Sequence, residues 1–249
     1  MPGLNIGPRE VPAPLPGGLF SVLTPEDAGD RIIGGITADP MVCGEVSSAE
    51  GWCFPTASVD PDFEPVEKEP VGFSDFTEQE GNGAGFYTYL ALECYLDGGA
   101  LAADAERAYL AGEEQAVGLR LVTLLDALSG GTTTAPDLTD ALGTAENSLR
   151  SMAFPGYIFA SPRTLIRLGS HVRPDDGALR TRLGSPLVAV VGAPDDTLYV
   201  SGQVTLYRGN LATHEVASPR TNRRYVVSER PWAALVDCGA ETIEVVTEP

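Results

Sequence analysis

The feature that most constrains the fold is a helical pattern between Ala100 and Leu128. Its apolar side chains recur at spacings of three and four residues, which places them on one face of a helix. They are Val117, Leu121, Leu124, Leu125 and Leu128. The charged residues Glu113, Glu114 and Arg120 are expected on other faces. At the usual rise per residue the helix is about 43 Å long, so a single element can act as the backbone of the molecule.

Glycines mark both the interior and the end of this helix. Gly130 and Gly131 end the pattern, whereas Gly112 and Gly118 lie inside it. Each internal glycine lowers helix stability by about 1 kcal/mol relative to alanine. We therefore expect a bend, or a close crossing with another segment, at these two positions.

The segments before the helix lack the apolar surface needed to fold alone. Residues 1 to about 35 are rich in proline, which favours an extended arm because proline fixes φ and lacks an amide donor. Residues 36 to 96 are acidic and rich in turns, and their second apolar run extends from Phe86 to Tyr95 after the glycines of "GNGAG". This pattern predicts a long two-stranded excursion with a flexible tip at "GNGAG". Because an isolated hairpin is unstable in water, the excursion needs a surface to lie on.

Helices and short strands alternate after the long helix. "TAPDLTDALGTAENSLRSMAFPG" predicts a second helix that stops at Pro155-Gly156. Ser161 and Pro162 cap a third helix, which Gly169 closes. Strands are predicted at "YIFA", "PLVAVV", "TLYVS", "QVTLYR", "YVVSERPWAALVDC" and "ETIEVV". The resulting fold class is α+β.

Charge is distributed unevenly along the chain, whose net charge is −19. Residues 1–118 carry 21 acids against four bases, whereas residues 119–249 carry 14 acids against 12 arginines. Coulomb repulsion makes nucleic acid and anionic membranes poor partners. Two interpretations of the split remain open: ordinary solvation with ion pairs inside the chain, or contact between the acidic half of one copy and the arginine-bearing half of the next.

Motifs of catalysis and cofactor binding are missing from the sequence. There is no phosphate-binding G-x-x-x-x-G-K-[ST] and no G-x-S-x-G nucleophile turn, and Lys68 is the only lysine. The cysteines and histidines show no metal-ligand spacing. They are Cys43, Cys53, Cys94, Cys238, His171 and His214. We therefore expect no enzymatic activity, no cofactor and no metal. The N-terminus shows no secretory signal, and no run is long enough to span a bilayer, so a cytoplasmic origin is expected.

Several stretches, in a fixed order, carry a resemblance. "GLFSVL" is followed by "YTYLALECYLDGG", the helix "AERAYLAGEEQAV", "YIFASPRTLIRL", "LRTRLGSPLVAVVG", "LYVSGQVTLYRG" and "NRRYVVSERPWAALVDC". Together they resemble the major capsid proteins of tailed phages of actinobacteria, which have the Hong Kong 97 fold. The likeness covers most of residues 18 to 238 and lies in the order and spacing of the stretches.

This resemblance implies a division of the chain into named regions. Residues 1–35 correspond to an N-terminal arm, 36–96 to an extended-loop region and 97–132 to the spine helix of a peripheral domain. Residues 133–224 correspond to an axial domain, and 225–249 return to the peripheral domain. "TLYVSGQVTLYRG" is then expected to form sheet in or beside the axial domain. "ERPWAALVDC" is expected to form a long strand along the spine helix, with its tryptophan packed inward.

The resemblance also implies a function. The chain is expected to assemble with copies of itself, as hexamers and pentamers, into the icosahedral head shell of a tailed double-stranded DNA bacteriophage. The shell encloses DNA without sequence-specific binding and contacts no membrane; a portal and a separate scaffolding or decoration protein are the implied partners. The expected location is the virion capsid, assembled in the host bacterial cytoplasm. An encapsulin-like compartment shell, a minor head or tail structural protein, and an enzyme remain as alternatives.

Assembly contacts are expected in two regions of the chain. The extended-loop candidates are Glu67, Lys68, Glu69, Phe73 and Phe76, and the later candidates are Arg173, Arg223, Arg224, Glu229 and Arg230. Some members of the family link the extended-loop lysine to an asparagine of a neighbour. Since no motif fixes a partner for the single lysine among Asn147, Asn210 and Asn222, we do not expect this crosslink.

Overall fold

The structure, a computed structural model, describes residues 14, 16–29, 83–95, 101–152, 155–218, 223–237 and 240–246. The α-helices in these ranges are α1 (Leu19–Val22), α2 (Leu101–Leu128), α3 (Leu138–Ser151) and α4 (Pro162–Leu168), and a short 3-10 helix spans Gly169–His171. The strands are β1 (Glu26–Asp27), β2 (Gly83–Tyr95), β3 (Thr132–Ala135), β4 (Tyr157–Ala160), β5 (Val172–Asp175), β6 (Ala178–Thr181), β7 (Pro186–Ala189), β8 (Thr197–Ser201), β9 (Val204–Arg208), β10 (Ala212–Ser218), β11 (Arg223–Val236) and β12 (Ala240–Val245). The predicted α+β class is confirmed.

A seven-stranded mixed sheet, in the order β3-β12-β8-β4-β7-β6-β5, forms one part of the fold. Helices α3 and α4 cover one of its faces, where their apolar side chains pack on Ile158, Leu187 and Leu198. Phe159, between Ile158 and Ala160 on β4, belongs to the core on the other face. The central strand β4 is buried on both faces for this reason, which matches the continuous apolar run "YIFA".

A five-stranded sheet forms the other part, with the 14-residue strand β11 at its centre. Strand β2 pairs with β11 in antiparallel fashion along its whole length. On the other side, β10 pairs with β11 up to Glu229 and β9 pairs with it from Trp232 onward. Strand β1 adds to β9 in parallel. The prediction of a long strand at "ERPWAALVDC" is confirmed, and Trp232 is 1% exposed, packed inward as expected.

Helix α2 packs against both sheets, and its bounds agree with the prediction to within one residue. Its buried side includes a row of every fourth residue. This row consists of Ala105, Tyr109, Glu113, Val117, Leu121 and Leu125. The expectation that Glu113 lies away from the apolar face is wrong, because Glu113 is 5% exposed and belongs to this row. An acidic side chain occupies a core position because a partner arginine reaches it, as described below.

Residues 16–23 lie in the predicted N-terminal arm, where we call them the base of the arm, and they are anchored in the core. Leu19 and Leu23 are buried among side chains of α2 and both sheets. Phe20 stacks on Trp232, with ring centroids 5.4 Å apart and planes inclined by 12°. Gly17 donates its backbone amide to the carbonyl of Gly177, between β5 and β6, and accepts from the amide of Ala189 at the end of β7. Residues 16–23 therefore join the two sheets.

The local predictions for the second half of the chain hold. Asp137 caps α3 by accepting hydrogen bonds from the backbone amides of Thr139 and Asp140. Ser161 caps α4 by accepting from the Thr164 amide, and Pro162 begins that helix. Short elements were missed by sequence reasoning, and they are α1, β1, β3, β5, β6 and β10. Most of these elements are short or exposed, so their sequences show no clear apolar periodicity.

Two predictions about strands need correction. Gly83 and Gly85 of "GNGAG" already belong to β2, so they do not form a hairpin tip. The predicted first strand of the excursion lies outside the described residues, and within them β2 pairs with β11. "TLYVS" and "QVTLYR" both form strands, but β8 joins the seven-stranded sheet and β9 the five-stranded sheet. The chain changes sheets at Gly202 and Gln203.

The two internal glycines of α2 make a matched pair for a test of stability. A Cβ on Gly118 would lie 2.8 Å from Cγ1 of Val190, whereas a Cβ on Gly112 would meet no atom within 4 Å. The close crossing expected at Gly118 is therefore confirmed. We expect Gly112→Ala to stabilise the chain by up to about 1 kcal/mol, the helix-propensity difference.

Gly118→Ala gains the same propensity but overpacks the core, which costs about 1–3 kcal/mol, so a net loss is expected. Urea titrations of the two variants, followed by far-ultraviolet circular dichroism, measure the difference. Equal stabilisation by both substitutions would contradict the packing described for Gly118.

Candidate functional site

The most exposed apolar surface of the five-stranded sheet lies where β10, β11 and β2 run side by side. Directly opposed residues in antiparallel strands share a face, and Tyr225 of β11 opposes Val216 of β10 and Glu93 of β2. The next row on that face is His214, Val227 and Ala91, and the third is Ala212, Glu229 and Tyr89. We call these nine residues the outer face.

Three large apolar side chains on the outer face lie open to solvent. The exposed fractions are 72% for Tyr89, 63% for Val216 and 40% for Tyr225. Alternate residues of β11 point the other way, where Val226 packs against Leu101 and Ala105 of α2. A sheet with one face on a helix and aromatic residues on its free face is typical of a protein that binds another protein surface.

Sequence reasoning did not select these three residues. The signal was present in part, because "RRYVVSERPW" places apolar residues at both odd and even positions of a strand, so both faces are apolar. The sequence does not show, however, that β10 and β2 flank β11. Only that pairing brings Tyr89 and Val216 beside Tyr225.

A buried polar cluster lies under the same strands, on the side of α2. Nη1 of Arg230 donates to both carboxylate oxygens of Glu113, at 2.8 and 3.0 Å. The hydroxyl of Tyr109 donates to Oε1 of Glu113 at 2.7 Å and lies 2.5 Å from Oγ1 of Thr88. Thr88 and Arg230 are directly opposed on β2 and β11. We call Thr88, Tyr109, Glu113 and Arg230 the polar band.

The electrostatics of the polar band follow from its burial. Desolvation raises the pKa of the Tyr109 hydroxyl far above its ordinary value, and the nearby carboxylate of Glu113 raises it further. Tyr109 therefore stays protonated and acts as a hydrogen-bond donor. At the surface nearby, the guanidinium of Arg208 binds Asp27 at 2.5 Å and lowers the pKa of that carboxyl below its ordinary range.

The structure places the predicted contact residues in different environments. Arg173 is exposed on β5, at the edge of the seven-stranded sheet. Nε of Arg224 donates to Glu215 at 2.8 Å, and Glu229 lies 3.6 Å from Nε2 of His214 on the outer face. The side chain of Arg230, another expected contact residue, is 12% exposed and directed at Glu113 of the same chain.

Most of the remaining predicted contact residues lie outside the described part of the chain. The backbone of Arg223 begins β11. The extended-loop candidates lie outside the described residues, and they are Glu67, Lys68, Glu69, Phe73 and Phe76. Contact with another copy stays a prediction for every residue of the set.

An apolar groove of about 700 Å³ lies between α2, α4 and the residues before α1. Among the described residues that line it, the polar side chains are Glu114 and Gln115. Glu114 accepts a hydrogen bond from the Phe20 amide at 3.3 Å. The described residues of the groove thus offer no nucleophile and no paired acid and base for catalysis.

Metal-ligand clusters and membrane-spanning helices are absent from the described ranges. No three His, Cys, Asp or Glu side chains converge there as metal ligands. None of the helices described is long and apolar enough to cross a membrane.

Comparisons with known proteins find similarity in structure only. No family model matches the sequence, and no curated protein matches it. The capsid of a native GTA particle matches with a TM-score of 0.52 and 9% identity, over 99% of this chain and 96% of that one. A solved structure described as Gordonia phage Cozz matches with a TM-score of 0.47 and 12% identity, over 100% of this chain and 92% of that one. The SrpI encapsulin of Synechococcus elongatus PCC 7942 matches with a TM-score of 0.46 and 11% identity, over 65% of this chain and 74% of that one.

The fold is identified by the GTA capsid, because that match spans nearly all of both chains. The chain has the Hong Kong 97 fold found in capsid proteins.

Proposed function

We propose that this chain is a major capsid protein that assembles with copies of itself into the icosahedral head shell of a tailed bacteriophage. The outer face carries the proposal, because it leaves Tyr89, Val216 and Tyr225 exposed on a sheet whose opposite face is packed. The likeness in fold to a capsid supports the same function.

The energetics of the outer face favour a partner. Burial of apolar surface contributes about 25 cal/mol per Å², and tyrosine suits interfaces because its ring is apolar and its hydroxyl can bind at the rim. The acids Glu93 and Glu229 flank the aromatic residues. Their carboxylates suit a partner surface that bears arginine. Residues 119–249 of a second copy offer such a surface, because they contain 12 arginines. The acidic and arginine-bearing parts of neighbouring copies would then meet in a heterologous contact that repeats around the shell.

We further infer that hexamers and pentamers of the chain enclose DNA without sequence-specific binding, with a portal and a separate scaffolding or decoration protein as partners. The net charge of −19 supports enclosure without adhesion, because like charges repel. Electron microscopy of purified particles, with assay of their contents, tests this: packaged DNA supports a phage head, and a packaged enzyme would instead support an encapsulin-like shell.

The assembly role of the outer face is tested by Tyr225→Ser and Tyr89→Ser, separately. Each change removes apolar contact area without adding charge. A loss of about 1.4 kcal/mol per contact lowers the association constant of that contact tenfold, so we expect particle yield to fall at least about tenfold. Negative-stain microscopy and size-exclusion chromatography measure the yield.

A matched control for these variants is Leu183→Ser, because Leu183 is 64% exposed but lies in the turn after β6. It is expected to leave the yield closer to that of the unaltered chain. If the tyrosine variants assembled as well as the unaltered chain, the outer face would not be an assembly contact.

A further inference from the structure

The polar band lies at the point where the five-stranded sheet changes partners. Strand β10 ends its pairing with β11 at Glu229, and β9 begins at Trp232. Between them, on that side of β11, Gly209 donates its backbone amide to the carbonyl of Pro231 at 2.8 Å. Proline has no amide to donate in return. The sheet therefore has two halves that meet at Arg230. We call the half in which β10 pairs with β11 the distal half, and the half in which β9 pairs with β11 the proximal half.

The two halves of helix α2 are held against the sheets by different means. The C-terminal half packs in the main core, where Gly118 comes into close contact with Val190. The N-terminal half packs through a small cluster whose buried members are Leu101, Ala105 and Val226. A cluster of so few side chains offers few interlocking contacts, so it alone specifies the position of the helix poorly.

We propose that the buried pair of Glu113 and Arg230 is a positioning device that fixes one seating of the N-terminal half of α2 on the distal half of the sheet. Glu113 is the one charged member of the row of every fourth residue on α2, and the row is otherwise apolar apart from the Tyr109 hydroxyl. An apolar row packs acceptably in several positions, whereas a buried carboxylate must meet its guanidinium. The pair thus selects a single position.

Physical chemistry distinguishes this role from a stabilising one. A buried ion pair often contributes less to stability than apolar side chains of similar volume, because both ions lose their hydration. Its better-attested use is to specify register, as a single buried polar residue does in coiled coils. If Glu113 and Arg230 act in this way, apolar residues in their place leave stability intact and lose the unique seating.

One consequence of the single seating rests on the proposed function: the outer face would meet neighbouring copies at one fixed angle as they close a shell. The seating itself is measured on the full, unassembled chain. A failure of shell formation by the unaltered chain would therefore reject the proposed function without affecting the distance measurement.

The experiment compares the unaltered chain with a double variant, Glu113→Leu with Arg230→Met. Spin labels on ketone-bearing non-natural residues replace Glu106 on α2 and Ala217 on β10, both exposed, so the native cysteines stay in place. Double electron–electron resonance gives the distance distribution between the labels. We expect a single narrow distance in the unaltered chain. In the double variant we expect a broadened distribution or a second maximum shifted by up to about 5 Å, one helical turn, with a melting temperature equal to or above that of the unaltered chain.

An unchanged narrow distance in the double variant would overturn the proposal. If its melting temperature also fell, the pair would be a stabilising contact instead of a positioning one. Arg230→Lys provides a second variant if the first does not fold. Lysine retains the charge but lacks the planar fork of the guanidinium, so we expect an intermediate broadening, and a distribution as narrow as that of arginine would count against the proposal.

Discussion

Replacing Gly156 by alanine is expected to destabilise the chain by about 3 kcal/mol or more, a large share of the 5–15 kcal/mol that holds a typical domain folded. Gly156 is buried immediately before β4. A Cβ at this position would lie 2.1 Å from the carbonyl oxygen of Ser201 and 2.6 Å from Cδ2 of Leu149. Because the nearest atom belongs to the backbone of β8, which pairs with β4, the clash is relieved only if the two strands separate.

Overpacking of a core usually costs about 1–3 kcal/mol and occasionally more, and a contact with backbone lies at the upper end. Urea unfolding followed by circular dichroism gives the free energy of unfolding. The matched control is Gly143→Ala in α3, where an added Cβ meets no atom within 4 Å. That change is expected to stabilise the chain by up to about 1 kcal/mol. A Gly156→Ala variant as stable as the control would show that β4 and β8 are not packed as described.

The second large effect is expected for Trp232→Ala, with a loss of about 3–5 kcal/mol. Trp232 is 1% exposed in the main core and stacks on Phe20 at the base of the arm. Its removal leaves a cavity between α2 and β11 and releases residues 16–23 from their aromatic contact. We therefore expect faster proteolysis at the base of the arm together with the fall in the free energy of unfolding.

Tyr225→Ser, on the same strand but on the outer face, serves as the comparison for Trp232→Ala. Tyr225 is 40% exposed, and surface substitutions usually change stability by no more than about 0.5 kcal/mol. The two aromatic residues of β11 should thus separate the two properties of the chain: Trp232 governs stability, and Tyr225 governs assembly. Similar losses of stability in the two variants would contradict the assignment of the faces of β11.

The local elements that the sequence specifies share a physical basis. Helix α2 was predicted to within one residue because its apolar period and its terminal glycines act over a few neighbouring positions. The cap of α4 was predicted because Ser161 bonds to an amide only three residues away. Such interactions depend on the immediate chain, so the sequence contains them directly.

The candidate site was only partly predictable, as Glu113 shows. A helical wheel assigns a glutamate to the solvent face, whereas the structure buries it beside Arg230, 117 residues further along the chain. Likewise, nothing local tells whether "TLYVS" and "QVTLYR" share a sheet. They separate because β8 finds its partners in β4 and β12, and β9 finds its partner in β11.

By itself the sequence determined the long helix, the helix caps and the α+β class, because each follows from spacing and propensity over short stretches. The inward-facing tryptophan was expected from the family resemblance, not from local spacing. The tertiary structure alone decided that Tyr89, Val216 and Tyr225 form one exposed face and that a carboxylate lies in the core beneath them. The reason is that strand pairing and ion-pair burial depend on which distant segments meet. That choice is made by the free energy of the whole packed chain, not by any part of it.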